Sequence, residues 1–500
     1  MAEQVFLAAD LGASSGRLIA GRFDGNRLTM EAMHRFSNGG VPVGDRLLWN
    51  ILGLWGSLLE GLRAAHAKFG DSPVSIGVDA WGVDFAMLGR NDTLLGSPYH
   101  YRDHHTDGVL EEAFEVVPRD QIFAETGLQF MQFNSLYQLW RMRQANDPIL
   151  EAAETFLMIP DLMNWLFCGS KCNELTDAST TQLYNPQTKA WSSKLIEAFG
   201  LPSKIFGSLA APGTNLGVIR GPVAAETGVA GLRVVLPGAH DTASAVMSVP
   251  AIGELSNQPN WCYISSGTWS LMGVETADPI VTDACLQRNF TNEAGVGGAT
   301  RVLKNICGLW LVQECRRRWS LAGRDYDWND LSRAAAAASP LVSLIDPDAP
   351  EFMGPEDMPS EIAKFCRASG QPTPSDDAAM IRCCLEGLAL RYRQVLGWLE
   401  ELIGGRIETI HVVGGGSLNA LLCQMTADAC GRVVVAGPVE ATAVGNIMMQ
   451  AVAAGAVADI SQAREVVRQS FDSTTYTPSV DRAAWDEAFG RFVELTASNG

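Results

Sequence analysis

Residues 5–23, VFLAADLGASSGRLIAGRF, read as two apolar strands joined by a bend of glycine and hydroxyl residues. The same pattern returns at 260–275 as NWCYISSGTWSLMGVE. In the first copy Gly12 and Gly16 sit in the bend, and in the second Ser265, Ser266, Gly267 and Thr268 form it. A unit that recurs half a chain away points to two related lobes. The length agrees, because 500 residues exceed what a single core usually supports. The expected organisation is an N-terminal lobe over 1–250, a C-terminal lobe over 251–455, and a closing helix and tail over 456–500.

The intervening patterns make both lobes α/β. Leu54, Leu58, Leu62, Ala65 and Phe69 mark one face of a helix closed by Gly70. VSIGVDAWGVDFAML (74–88) is a buried strand that carries Asp79 and Asp84, an unusual load for an apolar run. Residues 89–237 are mixed and loop-rich, and include NELTDASTTQLYN (173–185), a candidate region for specificity. The longest helix is expected to start near Ser375, to bury Ile381, Leu385, Leu388, Tyr392, Val395, Leu399 and Leu402, and to stop at Gly404-Gly405. Segments 407–431 and 432–455 each read as strand, glycine turn and helix.

Charge and punctuation exclude several classes. A net charge of −19 repels a phosphate polymer, so nucleic acid is not an expected partner. No apolar run is long enough for a membrane span, and MAEQVFLAADLG lacks the basic start of a signal peptide, so a cytoplasmic protein is expected. Eleven cysteines without paired zinc spacing read as mostly buried free thiols, with a Cys366–Cys383 bridge left open by its spacing. Neither a G-x-x-x-x-G-K-[ST] loop nor a G-x-G-x-x-G turn after a strand is present, which disfavours P-loop and dinucleotide enzymes.

Three separated glycine turns remain: DLGASSGR (10–17), SSGTWS (265–270) and VGGGSLN (413–419). Two hydroxyl-rich bends can aim N–H and O–H donors at phosphate oxygens, and Asp10 can hold a magnesium ion there. A glycine turn before a helix can lay bare backbone against a purine. Phosphoryl transfer needs such parts, together with an oriented nucleophile. GAHDTASAV (238–246) is ambiguous by itself: Asp241 or Thr242 can cap a helix, or Asp241 can present its carboxylate to an alcohol.

The motifs DLGASSGR, DAWGVDF, HDTASAV, YISSGTWSLMG, RVLKNICGLWLVQ and HVVGGGSLN…DACG…VAGPVEATAVGNI resemble, in order from about residue 5 to about 450, those of the FGGY carbohydrate kinases. The resemblance implies two actin-like, ribonuclease-H-like α/β lobes with ATP and sugar in the cleft between them. It implies that Ala13, Ser14, Ser15, Gly16 and Arg17 wrap the nucleotide phosphates, and that Thr268, Gln313 and Gly415 also bind ATP. Gly82, His240, Asp241, Thr242 and Asn305 would contact the sugar, and Asp241 would be the base that receives the proton of its hydroxyl. A helix start is compatible with that role, since the dipole favours an ionised carboxylate. The motifs are most similar to those of the branch that phosphorylates L-rhamnulose at O1. L-Fuculose, L-xylulose or another ketose or polyol is the alternative acceptor, and a non-catalytic sugar-binding regulator is a third reading.

Other polar residues carry structural alternatives. Asp79 and Asp84 can be carboxylates held by N–H donors, and Asp10 can bond its own turn. Trp81 can stack on a sugar face or belong to the core. His100, Asp103, His104 and His105 group like metal ligands but read as solvated loop residues. Arg102-Asp103 matches a family element, yet position 105 is His where that element has Arg, which bears on the sugar contacts.

Overall fold

The computed structural model describes residues 3–497 and divides the chain into two compact units. The first comprises the chain up to Ser256 together with Glu275–Val302 and Ala441–Phe471. The second comprises Asn257–Val274, Leu303–Glu440 and the chain from Asp472 onward.

The sheet of the first unit has the order Asn215–Val218, Arg233–Val235, Pro73–Ala80, Gln4–Leu11, Ser15–Phe23, Leu28–Ser37. Pro73–Ala80 runs parallel to both Gln4–Leu11 and Arg233–Val235, whereas Gln4–Leu11 and Ser15–Phe23 form the expected antiparallel hairpin. Strand Gln4–Leu11 is buried on both faces, which explains its continuous apolar run. Val5, Leu7, Ala9 and Leu11 pack with Leu54, Leu58, Leu62 and Ala65 of helix Ile51–Phe69. Phe6 and Ala8, on the opposite face, pack with Met247, Ala443, Val444 and Ile447. That second layer explains why contacts do not divide the chain at 250 and 455. Helix Ala441–Ala453 packs so closely on helix Asp241–Met247 that a Cβ on Gly445 would lie 1.8 Å from the Ser244 carbonyl oxygen.

The other large sheet has seven strands: Thr291–Ala294 at one edge, then Thr300–Cys307, Trp269–Thr276, Trp261–Ser266, Thr409–Val413, Val433–Ala436 and Thr474–Tyr476, which repeat the first strand order in reverse. Trp261–Ser266 again opens an antiparallel hairpin and again pairs in parallel with the next inner strand. The echo between 5–23 and 260–275 is therefore the start of a repeated topology. The long helix is Asp377–Ile403, two residues later than Ser375, because Asp376 is its cap and accepts from the Ala379 N–H. Residues 456–497 hold helices Ile460–Ser470 and Ala483–Ala497 with a short strand between them, and 498–500 lie outside the described residues. All eleven thiols are free, Cys366 and Cys383 among them. No helix among the described residues is long and apolar enough to cross a membrane.

Candidate active site

Strand alternation decides where the carboxylates of the first unit point. Phe6, Ala8 and Asp10 share one face of their strand; Ser75, Gly77 and Asp79 share the matching face of the next. Asp10 and Asp79 are direct register partners at the carboxyl ends of these parallel strands. The chain beyond Arg233–Val235 reaches the same edge, where the Ala80 N–H donates to the Ala239 carbonyl at 2.8 Å and Ala80 pairs with His240. Asp10, Asp79 and Asp241 thus gather where open α/β sheets bind ligands.

Each carboxylate has a different environment. Asp10 accepts from Arg17 Nε at 2.8 Å, across the hairpin register that pairs the two residues. Asp79 is fully buried; its Oδ2 accepts from Asn446 Nδ2 at 2.5 Å, while its Oδ1 has no partner. Burial raises the Asp79 pKa well above the usual carboxylate range, and the charges of Asp10 and Asp241 push it the same way. Asp241 is the first residue of helix Asp241–Met247, and neither it nor Thr242 is the cap. The cap position is His240, which makes no side-chain cap bond. The Asp241 side chain is 31% exposed, and its Oδ1 accepts from Thr242 Oγ1 at 3.0 Å. A carboxylate released from capping is available to an alcohol.

Two buried networks support this loop, and sequence reasoning named neither. Glu174 Oε2 accepts from Thr176 N, Thr176 Oγ1, Asp177 N and Ala239 N, and Thr176 Oγ1 accepts from His240 N at 3.1 Å. Segment 173–185, the loop-rich candidate region for specificity, holds the backbone just before Asp241. On the other side, His240 Nδ1 lies 3.1 Å from both Glu293 Oε2 and Arg301 Nη2. Arg301 opens the motif RVLKNICGLWLVQ, but nothing in that motif pairs it with His240, and Glu293 lies outside every quoted motif.

The first turn presents Ser14 and Ser15 at the surface, with Ala13 and Arg17 half-buried beside them. Asn38 Nδ2 donates to the Gly12 carbonyl and the Asn38 N–H to that of Ser14, which fixes the turn. Gly16 is buried, and a Cβ there would sit 2.2 Å from the Phe36 ring. Gly82 is half-buried, with Thr180 2.9 Å from where its Cβ would be. Next to it Val83 has φ +68, a strained value that the Thr180 and Ser135 hydroxyls hold through its N–H and carbonyl.

Other candidates prove structural. Trp81 is buried, its ring tilted 31° against that of Trp49 with centroids 3.9 Å apart, so it is no open platform for a sugar. Asp84 accepts from both indole N–H groups, from Gln138 and from the Tyr101 N–H. The expected solvated loop is instead packed. His100 stacks on Trp49, and burial pushes its pKa down to about 4; Asp103 is buried and bonds His105 and the Leu47 N–H. His104 alone of the four is exposed, and no group of three His, Cys, Asp or Glu among the described residues is arranged around a metal ion.

In the second unit the nucleotide candidates share one neighbourhood. The Gly267 and Thr268 carbonyls accept from the Leu309 and Trp310 N–H groups, at the start of helix Trp310–Leu321 that carries Gln313. The glycine turn lies against the same hairpin: a Cβ on Gly416 would be 1.9 Å from Ser266 Oγ. Gly415 is exposed with open space above it, beside Leu418, which is 72% exposed. Asn305, a sugar candidate, lies on strand Thr300–Cys307 of this unit, apart in the chain from Gly82, His240 and Thr242 of the first.

The N-terminal domain of the FGGY family of carbohydrate kinases matches residues 5–248, and its C-terminal domain matches 262–454. A rhamnulokinase of Bacteroides thetaiotaomicron is 44% identical, covering 98% of this chain and 99% of that one. One from Oceanobacillus iheyensis is 41% identical over 95% and 98%. Among solved structures, a ligand-bound xylulose kinase from Lactobacillus acidophilus superposes with a TM-score of 0.82 at 16% identity, over 99% of this chain and 98% of that one. A glycerol kinase of Plasmodium falciparum with ADP gives 0.78 at 13%, over 99% and 98%. At such identities the structures speak to fold.

Proposed function

Since this chain belongs to the FGGY family of carbohydrate kinases, we propose that it transfers the γ-phosphoryl group of ATP to O1 of L-rhamnulose, with Asp241 as the base. The observation that carries the reading is the Asp241 carboxylate, released from capping, part-exposed and gathered with Asp10 and Asp79 at one sheet edge. The acceptor identity is supported by rhamnulokinases that match at 44% and 41% identity over nearly whole chains.

An alcohol is a poor nucleophile at neutral pH. Asp241 takes its proton as the sugar oxygen forms a bond to the γ-phosphorus, and the bond from that phosphorus to the β-phosphate oxygen breaks to release ADP. The proton then passes to solvent. The exposed Ser14–Ser15 bend and its flanks Ala13, Gly16 and Arg17 present donors to the phosphates. Thr268, Gln313 and Gly415 are assigned to the nucleotide, the last through bare backbone. Gly82, His240, Thr242 and Asn305 are assigned to the sugar.

We assign a magnesium ion to the acidic edge, where no cluster of three ligands is preformed among the described residues. Asp79 Oδ1 is buried without a partner, and the Asp10 and Asp241 charges bear on Asp79 there. Asp10 would hold the ion, with phosphate oxygens and water completing its sphere as is usual for magnesium. When bound, it neutralises charge on the transferring phosphoryl group.

The test is phosphorylation of a panel of ketoses and polyols, read by ADP release. The highest kcat/KM is expected for L-rhamnulose. Preference for L-fuculose or L-xylulose would replace the acceptor, and sugar binding without ADP release from any of them would remove the enzyme reading.

A further inference from the structure

Arg301 is fully buried, a rare place for a guanidinium. Its Nε donates to the Ala294 carbonyl at 3.0 Å, and its Nη2 lies 3.0 Å from Glu293 Oε2 and 3.1 Å from His240 Nδ1. Glu293 Oε2 is also 3.1 Å from His240 Nδ1. One ring nitrogen therefore faces a donor and a carboxylate at equal distance, and a neutral imidazole can satisfy only one of them. The guanidinium has no acceptor and never gives up its protons, so Nη2–H can only donate. Its approach to Nδ1 has hydrogen-bond geometry, whereas Glu293 Oε2, as close to the ring, has the Arg301 guanidinium at 3.0 Å as its permanent counter-charge.

We propose that Arg301 is a positioning residue that fixes His240 as the tautomer with its proton on Nε2, the nitrogen facing Asp241. The bond at one ring nitrogen sets the state of the other. Nε2 is 3.5 Å from Asp241 Oδ1, the oxygen that Thr242 Oγ1 already addresses. Approaches of this length in a free enzyme tighten when substrate binds. Two donors aimed at Oδ1 stop the carboxylate from rotating and leave Oδ2 to receive the sugar proton. This catalytic consequence rests on the kinase reading; the tautomer does not.

The measurement is the nitrogen spectrum of the full chain labelled with 15N-histidine, at neutral pH and without substrates. His240 is assigned by the signals lost in His240→Asn. A pyridine-type Nδ1 and a pyrrole-type Nε2 are expected. The reverse pattern, or two pyrrole-type nitrogens, overturns the proposal whatever the protein phosphorylates. In Arg301→Lys a single ammonium cannot serve both the Ala294 carbonyl and the ring. The Nδ1 signal is then expected to shift toward the protonated form under Glu293. kcat with the ketose should fall roughly 10-fold to 100-fold, as for other groups that orient a reacting side chain, with KM for ATP unchanged. A variant that keeps the wild-type spectrum overturns the role of Arg301. Should it fail to fold, the wild-type spectrum still decides.

Discussion

Asn446 donates to Asp79 Oδ2 at 2.5 Å, although 367 residues separate them in the chain. The same amide donates to the Gly77 carbonyl at 3.1 Å and accepts from Gln450 Nε2 at 2.6 Å, while Gln450 Nε2 also reaches the Leu7 carbonyl. A late helix is thereby stitched to two central strands of the first unit. Asn446→Leu removes the sole side-chain donor shown at a fully buried carboxyl and strands a carbonyl. A loss of roughly 2–3 kcal/mol is expected in urea unfolding. Asn446→Asp should cost more, because it sets another carboxylate against Asp79.

Asp241 makes few structural contacts, so its loss should separate chemistry from folding. Asp241→Asn keeps the shape and removes the carboxylate proposed to accept the proton. kcat should fall by roughly 10²–10⁴, with stability changed by less than about 0.5 kcal/mol and sugar binding by calorimetry retained. Near-normal turnover would remove Asp241 from the base role.

Much of this was legible in the sequence because it rests on local rules. The hairpin at 5–23, the helix closed by Gly70 and the long helix stopped by Gly404 follow from alternation, apolar stripes and left-handed glycines. The glycine turn at 413–419 was legible as a strand-to-helix turn, whereas the close packing of Gly416 on Ser266 was not. Long-range side-chain pairing was not legible. Nothing near Asn446 in the chain states that it faces Asp79, and nothing near Arg301 states that it faces His240. Likewise, the histidines of 100–105 look solvated in a polar string, and only their stacking on Trp49 and Tyr99 buries two of them. The membership of Ala441–Phe471 in the first unit is another such fact, set by packing on a sheet assembled at the start of the chain.

Glu174 gives stability a pH dependence. Burial lifts its pKa from 4.5 to about 7, outweighing the hydrogen bonds from Thr176, Asp177 and Ala239. Between those values the folded protein holds a proton that the unfolded chain has lost. The stabilisation is therefore complete below pH 4.5, declines as pH rises toward 7, and is gone above it. Glu174→Gln keeps an acceptor oxygen and cannot ionise. Between pH 5 and pH 8 the wild type should lose roughly 2.5 kcal/mol more than this variant. Parallel losses in urea titrations at the two pH values would contradict a protonated Glu174.

Gly445 tests whether the position of Asp241 depends on the helix behind it. A methyl there would sit 1.8 Å from the Ser244 carbonyl oxygen, a backbone atom with nowhere cheap to go. Gly445→Ala must therefore push helix Asp241–Met247, and Asp241 with it, away from the Ala441–Ala453 helix. About 1–3 kcal/mol of destabilisation is expected from overpacking. Turnover measured well below the melting temperature should fall at least about tenfold, since small misplacements of a reacting group are costly. Gly56→Ala is the control, because a Cβ there meets nothing within 4 Å on helix Ile51–Phe69. It should be neutral or stabilising by up to about 1 kcal/mol, with unchanged kcat. If Gly445→Ala matched that control in both measurements, the contact between the two helices would not position Asp241.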